Sequence, residues 1–371
     1  MIKYMLSLLS FMMIVPAYAV KEAQLREQMV LAPEIREAGY ATPAGSPASL
    51  ESKEISGLFI LHNIIHKHLS WTATLDLGQV EHVEILTDPL PAGQFHAEIA
   101  LVLKSPLSLS RLDNQGAVQN DSISVLTIGT GPRLPFISAV IESQQSLSTL
   151  YRSLEENLQD APRCLEFRRV LKSDRINQNI LILAFLEEST RLAFFEKYRL
   201  LSMRLENGNK VKDAIKLERY RLLTENCVTS TVRNLAVALN EQDRQWVMDH
   251  RRLLWGMRSF NNAPSESELL ERLQFFASAL EQISPDIANL KSLPASQWNT
   301  FSEGVLEKNQ ALFADALSRE LDWENHFGGR EMSISLPFHA KVLFDHVAPL
   351  ANPRANSDPL APNFDATGKE I

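Results

Sequence analysis

Tyr220-Arg-Leu-Leu-Thr-Glu-Asn-Cys-Val-Thr-Ser-Thr-Val-Arg-Asn-Leu235 is the stretch on which the reading of this chain turns. Its first half is an apolar approach, Leu222-Leu223. Its second half places Val228, Val232, Leu235 and, just beyond, Leu239 at helical spacing, which predicts a helix with one buried face. Thr224 and Asn226 are both good N-cap residues. With Asn226 as the cap, Cys227 becomes the first helical residue. There the unpaired backbone N–H groups and the positive end of the helix dipole favour a thiolate, and the same amides can hold an oxyanion.

A nucleophilic cysteine needs a base, and the chain upstream supplies a candidate. Val83–Thr87, Phe95–Leu103 and Ile123–Ile128 read as strands, so the region from Val80 to Ile128 is expected to form a small antiparallel sheet. Alternation along the second strand puts His96, Glu98, Ala100 and Val102 on one side. His96 opens that strand directly after the loop Asp88-Pro-Leu-Pro-Ala-Gly93, where active-site residues often sit. The competing reading of His96 is a half-buried histidine satisfied by a carbonyl. Glu98 is a supporting candidate on the same face. Residues two apart on a strand stand about 6.5 Å from each other, which argues against direct contact without a bend. Glu84, Ser122 and Ser124 on neighbouring strands serve equally well as orienting groups. Asn226 is expected to cap the helix rather than join the chemistry, and Tyr220 to pack.

Tyr220-x-Leu222-Leu223-x-x-Asn226-Cys227-x-Thr229 resembles a segment of a bacterial periplasmic family of unknown function, found at the N-terminus of some lacto-N-biosidase-like proteins. That family is placed in the permuted papain-like superfamily, in which a histidine on a strand precedes the cysteine. Phe95-His-Ala-Glu-Ile-Ala resembles the family's His-Ala strand, with Phe95 where the family has glycine. The resemblance implies an α+β fold: a small antiparallel sheet packed with helices, of the permuted papain-like kind, followed here by a helical extension. It also implies a bacterial envelope setting and a cysteine peptidase, amidase or acyltransferase, with Cys227 as nucleophile and His96 as base.

Composition bounds the rest. The chain has 371 residues, 45% of them hydrophobic, and a mean hydropathy of −0.13, which suits a globular protein with a sizeable core. Met1–Ala19 reads as a cleaved secretory signal: Lys3, an apolar run from Met5 to Ile14, then Ala17-Tyr18-Ala19. Removing it takes away one lysine and leaves 36 basic against 45 acidic residues, a net of −9. That charge argues against nucleic acid or an anionic membrane surface as the main partner. The resemblance implies an envelope substrate or a protein partner instead. No later stretch is apolar enough to span a bilayer. Two cysteines are present, Cys164 and Cys227. In an oxidising compartment they can form a disulfide, and then the chain is a non-catalytic periplasmic binding or scaffold protein; a free Cys227 is the alternative.

The expected organisation is a signal at residues 1–19, a linker or loose arm at 20–54, a papain-like core at 55–252, a helical extension at 253–348 and a flexible tail at 349–371. Ile55–Trp71 is predicted to be helical, because Leu58, Leu61, Ile65 and Leu69 fall near one face. On such a helix His62 and His66 stand where two imidazoles can meet one metal, but no third ligand and no His-Glu-x-x-His pattern accompanies them. Three partly exposed histidines, His68 included, are the simpler reading. Ser146–Leu158 and Arg163–Leu171 are predicted helices, Ile176–Ala184 is a strand or a helix, and Glu187–Leu205 is a helix. Beyond Pro264, helices are expected over Ser267–Gln282 and Phe301–Trp323, separated by Pro285 and Pro294. Gly129-Thr-Gly131 lacks the spacing of a phosphate loop and reads as a turn. No Gly-x-Ser-x-Gly elbow and no cofactor motif is found.

Overall fold

The computed structural model describes residues 48–49, 57–89, 95–113, 115–132, 147–160, 168–202, 226–250, 264–326 and 337–348. The expected signal, most of the arm, the tail, Cys164 and Tyr220 lie outside these residues. The α+β class holds. Eight strands are β1 (Ala48–Ser49), β2 (Leu58–His66), β3 (Leu69–Asp76), β4 (Val80–Pro89), β5 (Phe95–Leu112), β6 (Val118–Pro132), β7 (Leu147–Ser153) and β8 (Arg168–Val170). The helices are α1 (Leu154–Asp160), α2 (Gln178–Ser202), α3 (Cys227–Ala238), α4 (Glu241–Asp249), α5 (Glu266–Ser292), α6 (Trp298–Lys308), α7 (Gln310–His326) and α8 (Pro337–Val347).

The sheet is larger than expected and is not purely antiparallel. β2 pairs β3, β3 pairs the far half of β5, β5 pairs β6 and β6 pairs β7, all antiparallel. A short parallel pairing of β7 with β2, Ile64 opposite Tyr151, closes these five strands into a barrel. β4 and β8 extend the sheet from the near half of β5. β5 can serve two neighbours because its ladder with β6 is interrupted between Val102 and Leu107. Pro106 lies in that interruption, where a missing ladder donor does no harm.

The predicted helix over Ile55–Trp71 is in fact the β2–β3 hairpin. Buried positions on β2 run Phe59, Leu61, then Ile64. The three-residue step comes from an irregularity between Leu61 and Ile64, with Asn63 at φ 60°. One extra residue turns a period of two into a mixture that imitates helical spacing. His62 and His66 therefore do not share a helix face. The hairpin turns on Lys67 and His68, at φ 51° and 58°, a two-residue connection of the kind that matches strand twist. Positive φ is uncommon for a residue with a side chain, though histidine tolerates it better than lysine, and the turn is held from outside. Glu156 accepts both the His68 amide at 3.0 Å and the His68 ring at 2.8 Å, and Lys67 reaches Asp121 at 2.7 Å.

Other corrections are local. Residues 147–153 are strand β7, with helix only after Ser153, and Arg168–Val170 is edge strand β8 rather than helix. α2 is one continuous helix from Gln178 to Ser202, so the open stretch Ile176–Ala184 is helical from Gln178 onward, while Ile176 makes an isolated bridge to Leu239. α5 runs through Pro285 to Ser292, because Ile283 and Ile287 on either side are buried in the same cluster. That packing outweighs the lost backbone bond.

Two large buried clusters hold the described residues, beside a small third one of Leu86, Ala100, Val125 and Leu154. One joins the barrel to the first half of α2, to α3 and to α8; the other joins the second half of α2 to α5, α6 and α7 around Phe194, Phe195, Phe276 and Phe313. α2 and α5 contribute to both, so the clusters do not divide at residue 252. α2 is buried on all sides and carries a charged middle, Glu187, Glu188 and Arg191. These are satisfied by Arg272, Glu320, Arg233, Ser230 and Asn234 from three other helices. Among the described residues no helix is long and apolar enough to cross a membrane.

Candidate active site

Asn226 is the N-cap of α3, in extended backbone at φ −139° and ψ −179°. Its Oδ1 accepts the amides of Val228 at 2.9 Å and Thr229 at 3.0 Å. Thr229 Oγ1 returns the favour by accepting the Asn226 amide at 2.8 Å, which completes a capping box. Cys227 is thus the first helical residue, as the sequence predicts. Its thiol is free and only 6% exposed. Cys164, the partner that the scaffold reading gives it, lies outside the described residues.

α3 packs against β5 and directs its N-terminus at the start of that strand. The Cys227 sulfur lies within hydrogen-bonding reach of the His96 ring and of the Ala97 backbone amide. His96 Nε2 is 2.6 Å from Glu98 Oε1. That contact leaves Nδ1 of the ring for the sulfur. The expectation that Glu98 stands too far from His96 is corrected. The 6.5 Å spacing separates Cα atoms, whereas the two long side chains converge at their tips. The other Glu98 oxygen accepts Asn157 Nδ2 at 2.9 Å. Cys227, His96 and Glu98 therefore stand in a line, with Asn157 behind the carboxylate.

The electrostatics of the line are those of an ion pair. Burial lowers the basicity of His96, but the adjacent Cys227 and Glu98 overcome it and hold the imidazolium well above the ordinary histidine range. Burial raises the Cys227 thiol, but the charge and hydrogen bond of His96 and the Ala97 amide overcome it and bring the thiol below its usual value. Glu98 is 2% exposed. Burial alone would raise its carboxyl; His96, Arg152 and Asn157 keep it low and ionised. His96 keeps 23% of its side chain exposed, which gives the line an edge on solvent.

The other orienting candidates are occupied or turned away. Glu84 takes His82 at 2.9 Å and Arg168 at 2.5 Å, while Ser122 and Ser124 face out. His66, Ser153 and Asp121 form a second serine–histidine–carboxylate grouping, with Ser153 Oγ 2.9 Å from His66 Nδ1 and Asp121 3.3 Å from Nε2. Ser153 is 1% and His66 2% exposed, and Ser153 Oγ already accepts the Glu156 amide as a helix cap. This grouping fastens the hairpin turn to α1.

Sequence reasoning missed Asn157, the Ala97 amide and Gly129, which lies under Glu98 in the neighbouring strand. Only Gly129 left a signal, as a glycine amid residues that favour strands. Comparison with protein-family models, with curated proteins and with solved structures gives no match.

Proposed function

We propose that this protein is a cysteine-dependent acyl-transfer enzyme, a hydrolase or acyltransferase acting on an amide or ester. The observation that carries the reading is the contact line Cys227–His96–Glu98 at the capped start of α3. Glu98 accepts the Nε2 proton of His96 and fixes the tautomer, so Nδ1 takes the thiol proton. The Cys227 thiolate attacks the substrate carbonyl, and a carbon–sulfur bond forms as the carbonyl π electrons move to oxygen. Val228 and Thr229 amides are already taken by Asn226, so the developing oxyanion falls to the Cys227 amide and the helix dipole. His96 then gives its proton to the leaving amine or alkoxide as the tetrahedral intermediate collapses to a thioester. Water or an acceptor nucleophile, deprotonated by His96, cleaves the thioester and restores the thiolate.

The Asn-Cys-x-Thr segment and the His-Ala strand resemble those of permuted papain-like periplasmic proteins, and residues 1–19 have the make-up of an export signal. These features support a substrate in the bacterial envelope, such as a peptide crosslink or a lipoprotein acyl chain. The test uses the chain from residue 20 onward with Cys164→Ser, so that only one thiol reports. Mixed with p-nitrophenyl acetate, it should release a burst of about one nitrophenolate per chain. The burst should vanish in Cys227→Ser and slow in His96→Ala. Equal release by Cys227→Ser would end the proposal.

A further inference from the structure

We infer that Gly129 and Asn157 are positioning residues that seat the Glu98 carboxylate against His96, an inference that rests on the proposed role of that histidine. Gly129 sits on β6 directly opposite Glu98 on β5 and opposite Leu150 on β7. Its backbone lies outside the positive-φ region, so nothing in its conformation excludes a side chain. Strand interiors favour β-branched and aromatic residues, and a glycine there gives up both packing and entropy. What requires it is Glu98. A Cβ at Gly129 would stand 2.7 Å from Glu98 Cγ and Cδ and 2.8 Å from Oε1. The same atom at Gly131, two residues on, would meet only Leu150 at an ordinary 3.7 Å. The Glu98 side chain therefore lies across a bare stretch of its neighbouring strand.

Asn157 closes the seat from the other side. It is 1% exposed, and its amide nitrogen donates to Glu98 Oε2 at 2.9 Å. α1 is fixed in place by the Ser153 cap at 3.2 Å, so Asn157 is itself held. A buried carboxylate is costly unless its oxygens are engaged. Here one oxygen faces His96 and the other faces a neutral donor that does not compete for the His96 proton. A Glu98 free to turn would give up the contact with Nε2.

The test reads the rate of Cys227 carboxymethylation by iodoacetate against pH, in the chain with Cys164→Ser. Iodoacetate is an anion and reacts fastest while His96 is protonated, so the profile is a bell: its acid limb reports Cys227 and its alkaline limb His96. Glu98→Gln should move the alkaline limb to lower pH by about 1 unit or more. Gly129→Ala and Asn157→Leu should move it the same way, and Asn157→Leu should add nothing in the Glu98→Gln background. A merely structural role would lower the melting temperature and leave the limb in place, and that result overturns the inference while the bell itself stands. A parent profile without a bell, rising as an ordinary thiol does, overturns the proposed site and this inference with it. Should Gly129→Ala not fold, Asn157→Leu decides alone.

Discussion

Replacing Glu188 by alanine removes the acceptor that pins the cysteine-bearing helix to the centre of the molecule. Glu188 is 2% exposed on α2. Its carboxylate accepts Ser230 Oγ at 2.5 Å, Arg233 Nη2 at 2.7 Å and the Asn234 amide nitrogen, and Arg191 lies 3.6 Å away. Three of these four partners are on α3, and Ser230 is three residues from Cys227. Burial pushes the Glu188 carboxyl up, but Arg233 and Arg191 outweigh it and keep it low and charged. Removing one partner of a buried charged group typically costs about 3–5 kcal/mol, because the remaining groups stay buried without their counter-charge. Glu188→Ala should therefore lower the unfolding free energy by about that amount, read from a urea titration with unchanged slope. Glu241→Ala, which removes an ion pair whose carboxylate is 88% exposed, should leave the midpoint within error. The same Glu188 variant should show a slowed nitrophenyl ester burst in the absence of urea, since α3 loses its anchor. A loss under about 1 kcal/mol, with an unchanged burst, would refute the reasoning that this network holds α3 in register.

Other consequences are smaller. Asn226→Ala frees two first-turn amides and should cost about 1–2 kcal/mol, measured by thermal or urea unfolding; Asn226→Asp should recover most of that loss. Acid should unfold the protein in a predictable window. Glu84, Glu98, Glu188 and Asp121 all have depressed carboxyl groups, Asp121 down to about 2 chiefly through Lys67. A depressed group contributes stability above its unfolded value, and that contribution is lost as pH falls through its folded value. Stability should thus decline from about pH 4.5 downward, and Glu98→Gln should flatten part of that decline. Glu187, pushed up by burial among the helices, runs the other way and loses its contribution as pH rises past the ordinary carboxyl range.

The start of α3 was legible because it is local: a cap residue, a helical apolar period and a cysteine between them, all within sixteen residues. The position of His96 was legible for a similar reason, at the start of an alternating strand after a proline-rich loop. The hairpin was not, because the irregularity at Asn63 broke the parity by which a strand announces itself. Barrel closure was not legible either, since the β7–β2 pairing joins segments about ninety residues apart through two backbone partners. The turn predicted at Gly129-Thr-Gly131 shows the limit most clearly. A glycine is read from sequence as a need of its own backbone, and here it answers the needs of a carboxylate on another strand. Pro285 and Pro294 were weighed by propensity alone, and the aromatic cluster between α2 and α5 overrode Pro285.

The most direct test of the account is the ultraviolet absorbance of the Cys227 thiolate, taken as the difference between the Cys164→Ser chain and the same chain with Cys227→Ser across a pH titration. A thiolate paired with His96 should already be present at neutral pH, well below the range near 8.5 in which a free thiol ionises. In His96→Ala its appearance should move up to that range or beyond it. A Cys227 that ionises at or above the ordinary thiol range, and does so unchanged in His96→Ala, would contradict the ion pair and the chemistry built on it.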